Sequence, residues 1–391
     1  MKISVLGGAG AIGRIAIRDL FEMAGEDVEI VVADHDVAAA EELACFFGSA
    51  RVSALRVDVR SASELEAATR GSFAIVNTVQ CQHNMAVMEA ALAVGAHYVD
   101  LGGRFHVTRQ QLQMDDRFRA AGLTALLGMG AAPGISNVLA RSAADYLDSV
   151  KEIHVRVGSV DKTDYATPLT LPAGYSTKTV LDSFSLEPAV FTKGAFAFVE
   201  PMSGAEVYRF PKPVGKQKTL CTLHSEVATL PVSFRDKGVC KVTFKIALDR
   251  DFVQRIRFLR DLGLGSHEAM EINGQRVAPM DMVHALVTSR PCPVRKGPLR
   301  QHEVVRAIVS GKKGGQRQTH VVDCHSVGKP EWDVGFDLDT AAPPSIAVQM
   351  LARGLITRRG AVPPEIAVPT EPFFSELARR GMRVEHTVET A

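Results

Sequence analysis

Met1-Lys2-Ile3-Ser4-Val5-Leu6-Gly7-Gly8-Ala9-Gly10-Ala11-Ile12-Gly13 opens the chain, and its reading decides the fold. A short apolar run breaks into Gly-x-Gly-x-x-Gly at Gly8, Gly10 and Gly13, then continues with helical character. Each glycine answers a steric demand of a strand-to-helix turn that carries a pyrophosphate. Gly8 permits the tight turn, Gly10 lets the backbone approach the phosphates, and Gly13 lets the helix lie close to the strand. The unpaired amides of the first helical turn, around Ala11 and Ile12, then face the phosphates, where the helix dipole favours negative charge.

The context of the glycines supports a dinucleotide site. Val28-Glu29-Ile30-Val31-Val32-Ala33 reads as a second strand and ends in Asp34, 21 positions after Gly13. An acidic residue there hydrogen-bonds the adenosine ribose. A carboxylate suits a 2′-hydroxyl and repels a 2′-phosphate, and the following His35, Asp36, Val37 and Ala38 offer no Arg or Lys. The expected cofactor is therefore NAD rather than NADP.

Composition narrows the class further. The 391 residues are enough for two domains with separate cores. A net charge of +1 gives no electrostatic footprint for nucleic acid or a membrane surface. The basic cluster between Lys312 and Arg317 sits beside glycines and reads as a solvated loop. Cys45, Cys81, Cys221, Cys240, Cys292 and Cys324 are scattered without C-x-x-C spacing. They read as reduced thiols rather than a disulfide frame, and no His/Cys/Asp cluster has metal-ligand spacing, so no metal is expected. No leader precedes the first strand and no apolar run is long enough to span a bilayer, so a cytoplasmic protein is expected.

Strand and helix patterns alternate as far as about Leu127. After the first two strands, Ala54 to Asp58, Ala74 to Thr78, His97 to Asp100 and Thr124 to Leu127 read as strands three to six, with helical segments at Val37–Phe47, Ser61–Arg70, Asn84–Val94 and Gln110–Ala121 between them. That rhythm predicts an α/β doubly wound parallel sheet with right-handed crossovers. After Gly134 a helix from Asn137 to Leu147 leads into alternating segments such as Ile153–Val157 and Val239–Ile246. These predict half-solvated, antiparallel strands of a second, mixed α+β substrate domain. The expected division is a dinucleotide-binding domain at 1–134, a substrate and dimerisation domain at 135–340, and a C-terminal segment at 341–391 with helices at Pro344–Gly354 and Phe373–Arg380.

Ligands of a doubly wound sheet lie outside the carboxyl ends of its strands. Asp58 then stands near the adenine, and Asn77 and Thr78, at the end of the fourth strand, are candidate cofactor contacts. Gly128-Met129-Gly130-Ala131-Ala132-Pro133-Gly134-Ile135-Ser136-Asn137 is a distinctive strand-to-helix segment. Its small residues, with Pro133 and Gly134, suit the close approach of a flat ring, and Ser136 or Asn137 can cap the following helix. Asp100 ends the fifth strand beside the expected nicotinamide, where it could take a proton, anchor an ammonium, or cap its own turn. His106 and Lys162 are alternative bases. Tyr98, Arg104, Asn137, Arg209 and His224 are candidate contacts for the polar groups of a substrate.

Several motifs together resemble the saccharopine dehydrogenase family. They are the glycine fingerprint, A-I-V-N-T at 74–78, Y-V-D at 98–100, G-A-A-P-G-I-S-N at 130–137, R-F-L-R-D-L-G at 257–263 and G-x-x-x-x-x-G-A-V-P-P-E-I at 354–366. Ala132 before the Pro-Gly pair and Ser136-Asn137 after it resemble the NAD-dependent lysine 6-dehydrogenase type within that family. The resemblance implies a Rossmann domain completed by the C-terminal segment, and a homodimer or larger assembly. It also implies an oxidoreductase acting on the carbon–nitrogen bond of an amino acid or amine, either lysine oxidation to the 6-semialdehyde or reductive condensation of an amine with a carbonyl, as in saccharopine or carboxynorspermidine formation. A dinucleotide-binding regulator without catalysis is the reading from a different class.

Overall fold

The computed structural model describes residues 1–167, 177–290 and 293–390. Six strands arise where apolar runs were expected: β1 Lys2–Leu6, β2 Glu29–Asp34, β3 Val52–Arg56, β4 Ala74–Asn77, β5 His97–Asp100 and β6 Thr124–Leu126. Their side chains are buried on both faces in β1 and β4, as a parallel sheet sandwiched by helices requires. The helices are α1 Ala11–Met23, α2 Val37–Phe47, α3 Ala62–Thr69, α4 Asn84–Val94, α5 Arg104–Gln111 and α6 Asp115–Ala120. All neighbours in the sheet pair in parallel, and β1 lies between β2 and β4, which creates the crevice at its carboxyl end.

Next come α7 Ile135–Asp145, β7 Ser149–Asp161, α8 Thr177–Ser185, β8 Ala189–Thr192, β9 Ala195–Phe198, β10 Glu206–Arg209, β11 Lys216–Cys221, α9 Glu226–Ser233 and β12 Lys241–Ala247. They are followed by α10 Arg250–Asp261, the hairpin β13 Met270–Ile272 and β14 Gln275–Val277, α11 Pro279–Thr288, β15 Gln301–Lys313 and β16 Gln316–Ser326. The chain ends with α12 Leu338–Ala352, β17 Gly360–Val362, α13 Pro364–Ala367, α14 Thr370–Arg379 and β18 Arg383–Thr390. The second sheet runs β10-β11-β12-β7-β15-β16-β18, with β8 and β9 attached beside β12. It is mixed rather than wholly antiparallel, because β12 runs parallel to β7.

The C-terminal segment serves both sheets. Its β17 pairs in parallel with β6 at the edge of the first, and β18 pairs with β16 in the second. One apolar core, containing Ile17 and Leu20 of α1, Val138 and Leu139 of α7, Val155 of β7, Val305 of β15 and Ile346 of α12, runs between the two sheets. Inside it, the Arg380 guanidinium donates to both Asp19 oxygens at 2.7 and 2.8 Å, and the Ser345 hydroxyl adds a third bond to Asp19.

Two helices differ from expectation for local reasons. Arg104–Gln111 is helical although its sequence carries no apolar stripe, since Phe105, Thr108 and Gln111 face inward instead. Helix α12 begins at Leu338, although Pro343 and Pro344 lie inside it. A proline lacks the N–H for the intrahelical ladder, so sequence alone places a helix start at the prolines. Cys292 lies outside the described residues, and the other five cysteines are free thiols.

Candidate active site

The glycine turn has the geometry its sequence promised. Gly10 stands at the N-terminus of α1, and the amides of Ala11, Ile12 and Gly13 have no carbonyl behind them within the helix. A side chain at Gly13 would put its Cβ 2.2 Å from the Gly7 carbonyl oxygen, so only glycine lets α1 lie this close to β1. A Cβ at Gly10 would meet only the Gly7 carbonyl oxygen, at 3.1 Å, so its outward side is open space. The Thr78 hydroxyl donates to the carbonyls of Leu6 and Gly7 at 2.8 and 3.1 Å and ties the end of β4 to this turn.

Asp34 closes β2 directly beneath the turn. Its carboxylate accepts from the Ala9 and Asp36 amides, both at 3.1 Å, and lies 2.8 Å from the exposed His35 ring. Asp58 follows β3, where Arg60 clasps it from the side and holds its carboxyl well below the usual carboxylate range.

Asp100 is placed differently from a solvent-facing base. It is 1% exposed and both of its oxygens are occupied. One accepts from the Gly102 and Gly128 amides at 2.9 and 2.6 Å, the other from Tyr98, Asn84 and Gln111 at 2.8, 3.0 and 2.6 Å. Burial pushes its pKa up while Gln111, Tyr98 and the Gly128 and Gly102 amides pull it back down. The carboxylate thus locks the loops after β5 and β6 together and leaves no face for a substrate ammonium. Tyr98, expected to touch substrate, is wholly buried, and its hydroxyl also accepts from Asn77 at 3.1 Å. Asn77 belongs to the same network, with a second bond to Asn84 at 2.9 Å.

The 128–137 segment folds back tightly on itself. Ala132-Pro133 is a cis peptide, and Gly134 adopts φ +125°, where a Cβ would come within 2.2 Å of the Gly130 carbonyl oxygen. Asn137 caps α7 by accepting from the Gly134 amide at 3.0 Å and donates to the buried Glu365 at 2.8 Å. It too is structural, at 1% exposure. Pro133 packs over Gly102 and Gly128, and the Ser225 hydroxyl closes on Gly102 from the second domain.

At this junction α9 begins. His224 lies half-buried just before it, stacked on Phe244 of β12 with ring centroids 3.7 Å apart, and its Nδ1 is 3.3 Å from Glu226. Glu226 is fully buried and accepts from the Ser136 hydroxyl at 2.9 Å. An imidazole held flat by an aromatic face and oriented by a buried carboxylate can take and return a proton through its other nitrogen. Glu226, Ser136 and Phe244 were not anticipated as partners of His224. The spacing of two residues between His224 and Glu226 was the available signal.

The remaining candidates scatter. Arg104 donates to Asp182 of α8 at 2.6 Å, and Asp182 also meets His267 at 2.7 Å, so this guanidinium already has a carboxylate. His106 is exposed and stacks on Phe198 of β9. Lys162 is exposed past the end of β7, and Arg209 is exposed on β10, an edge strand of the second sheet. Neither lysine nor arginine is brought to the carboxyl ends of the parallel strands.

A parallel sheet with an open phosphate turn, joined to a second domain at the ends of its strands, defines a dinucleotide-dependent oxidoreductase. The chain belongs to the saccharopine dehydrogenase family: residues 3–126 match its NADP binding domain and residues 130–382 its C-terminal domain. It is 22% identical to the carboxyaminopropylagmatine dehydrogenase of Synechocystis sp., over 97% of this chain and 96% of that protein. It is 24% identical to the carboxynorspermidine synthase of Vibrio cholerae, over 62% of this chain and 59% of that one. Saccharopine dehydrogenase (L-Glu forming) of Saccharomyces cerevisiae shares the fold with a TM-score of 0.70 at 17% identity, each chain covered to 99%. Homospermidine synthase of Legionella pneumophila, solved with NAD, gives 0.68 at 12% identity, over 99% of this chain and 91% of that one. Among the described residues no helix is long and apolar enough to cross a membrane.

Proposed function

We propose that this enzyme makes or breaks the secondary amine that joins a carboxyl-bearing carbon chain to a di- or polyamine, with a nicotinamide dinucleotide as the redox partner. The observation that carries this reading is the His224–Glu226 pair at the junction of the 128–137 segment with the second domain. The end-to-end likeness to a carboxyaminopropylagmatine dehydrogenase supports the substrate class over lysine itself. The lysine 6-dehydrogenase type remains a finer alternative within the same chemistry, favoured by Ala132 and Ser136-Asn137.

The residues suit the chemistry in order. The dinucleotide, when bound, accepts or supplies hydride at the carbon next to nitrogen; Gly10, Ala11, Ile12 and Gly13 hold its phosphates and Asp34 its ribose. In the oxidative direction a secondary ammonium must first lose its proton, and His224 receives it. Loss of hydride leaves a protonated imine, and water then adds at its carbon, with His224 taking a proton from the water and returning one to the nitrogen. Collapse releases an amine and a carbonyl compound; the reductive direction runs the same steps backwards. Pro133 and Gly134 narrow the space where the ring and the substrate carbon meet.

Two measurements check the reading. Dinucleotide reduction with carboxynorspermidine and carboxyaminopropylagmatine is expected to exceed that with lysine by at least about tenfold in kcat/KM, since buried polar groups discriminate strongly against substrates that leave them unpaired. Lysine turning over as well as either carboxylated amine would return the assignment to the lysine 6-dehydrogenase type. Asp34→Ala is expected to weaken NAD binding by about 1–3 kcal/mol, the scale of a lost charged hydrogen bond. A wild-type enzyme that binds NADP as tightly as NAD would remove Asp34 from ribose recognition.

A further inference from the structure

Buried carboxylates elsewhere in this molecule are answered by donors. Arg380 meets Asp19 and Glu376, Arg306 meets Asp323, Arg104 meets Asp182, and five donors surround Asp100. One group breaks this pattern. Asp339, in the first turn of α12, is 2% exposed, and its Oδ2 has no hydrogen-bond partner among the described residues. Its other oxygen receives only the Thr340 hydroxyl, at 3.5 Å. The carboxyl of Glu303 from β15 shares a hydrogen-bonding proton with Asp339, and Asp337, just before α12, adds a third acid. Burial pushes Glu303 and Asp337 up to about 7 and Asp339 well above its ordinary value, and no neighbouring cation pulls any of them down.

The fold builds this grouping from three segments. Gln301 accepts from the Phe336 amide at 3.3 Å and donates to Asp161 at 2.8 Å, which presses the 335–339 turn onto the start of β15. Ser326 and Ser159 stand opposite Glu303 in the sheet register, and the buried Ser326 hydroxyl also lacks a partner among the described residues. On its far side the cluster reaches the active-site turn, because Thr340 backs Gly130, whose Cβ would lie 3.6 Å from the threonine methyl. Glu303 also points from the same sheet face as Val305, four residues along β15 from Ala307, whose row Val155 shares with Phe244, the ring under His224.

The proton shared by Glu303 and Asp339 can serve only one contact, and a buried carboxyl oxygen left without a donor, as Asp339 Oδ2 is, is costly unless a ligand supplies one. Among the described residues no set of His, Cys, Asp and Glu has the geometry to hold a metal ion. An organic cation with several N–H groups can serve two or three carboxylates together. We propose that Glu303, Asp337 and Asp339 form the subsite for the distal ammonium or guanidinium of the substrate amine. This rests on the reading that the neighbouring site works on a carbon–nitrogen bond. A cation fixed here sets how far the reacting nitrogen lies from its own anchor, so the subsite selects amines by the length between two nitrogens.

The test uses the full-length enzyme saturated with dinucleotide. Propane-1,3-diamine and agmatine, titrated calorimetrically, are expected to bind at least about tenfold tighter than propylamine, the scale of one charge-assisted hydrogen bond to a carboxylate. Glu303→Gln and Asp337→Asn, singly and together, are expected to erase that difference and to raise KM for carboxynorspermidine at least about tenfold, while dinucleotide affinity and Tm hold. Both acids are only half-buried, so these variants fold more readily than a change at Asp339. Equal binding of diamine and monoamine by the wild type, or a preference that survives in the double variant, overturns the subsite. If no carboxylated amine is oxidised but the diamine preference exists and vanishes in the variants, the reaction assignment falls and the subsite stands.

Discussion

Replacing His224 by Asn is expected to lower turnover by about 10²–10⁴-fold, the range over which a positioned acid–base group acts, with dinucleotide affinity unchanged. The imidazole is the group at the junction whose geometry fits proton transfer. Phe244 fixes its plane at 3.7 Å and Glu226 takes one nitrogen at 3.3 Å, so the proposed proton transfer falls to the other nitrogen. Asn keeps a polar side chain of similar reach but cannot exchange a proton near neutral pH. Glu226 acts through the histidine, so Glu226→Gln should shift the pH profile of kcat/KM and lower kcat less than His224→Asn does. If the His224 variant loses only a few-fold in kcat, the ring merely fills space over Phe244 and the proton must be moved by another group.

What could be read from sequence divides along physical lines. The parallel sheet was legible because its inner strands, such as β1 and β4, are apolar runs buried on both faces, and its glycines have backbone reasons that need no tertiary context: Gly13 must clear the Gly7 carbonyl and Gly10 must leave room outward. The second sheet was legible as alternation but not as topology, since alternation is the same whether β12 runs parallel or antiparallel to β7. Helix α12 was truncated by its own prolines, because local rules assign Pro343 and Pro344 to a helix start.

The site was less legible, since its chemistry is assembled across distant segments. Ser136 and Glu226 are 90 positions apart, and Glu303 meets Asp339 only because Gln301 pins the 335–339 turn. Sequence position also misassigned residues at the ends of parallel strands. Being in the right place, as Asp100 and Tyr98 are, does not reveal whether a side chain points into the crevice or knits the loops beneath it. Arg209 and Lys162 failed for the opposite reason: their residue types suit a substrate carboxylate or a proton, but the strands that carry them end in solvent.

Asp100→Asn should lose stability and keep its chemistry. The carboxylate accepts five hydrogen bonds in a site 1% exposed, two from backbone amides and three from side chains. In the variant, the amide oxygen can retain the Gly102 and Gly128 donors while its NH₂ turns toward Tyr98, Asn84 and Gln111. The Tyr98 hydroxyl can rotate to accept, and the Gln111 Oε1, buried without a partner, can swing in to do the same. Asn84 keeps the Gly102 carbonyl, but the Tyr98 O–H proton loses its acceptor, so the expected cost is about 1–3 kcal/mol, the penalty for one buried unsatisfied group. Asp100→Ala strands all five donors around a cavity, and its cost should be larger, about 3–5 kcal/mol, at the scale of breaking a buried charged network. Denaturant midpoints measure both costs, and turnover per folded molecule of Asp100→Asn should stay within a few-fold of wild type. A variant as stable as wild type that turns over at least about tenfold more slowly would instead place Asp100 among the groups that handle the substrate proton.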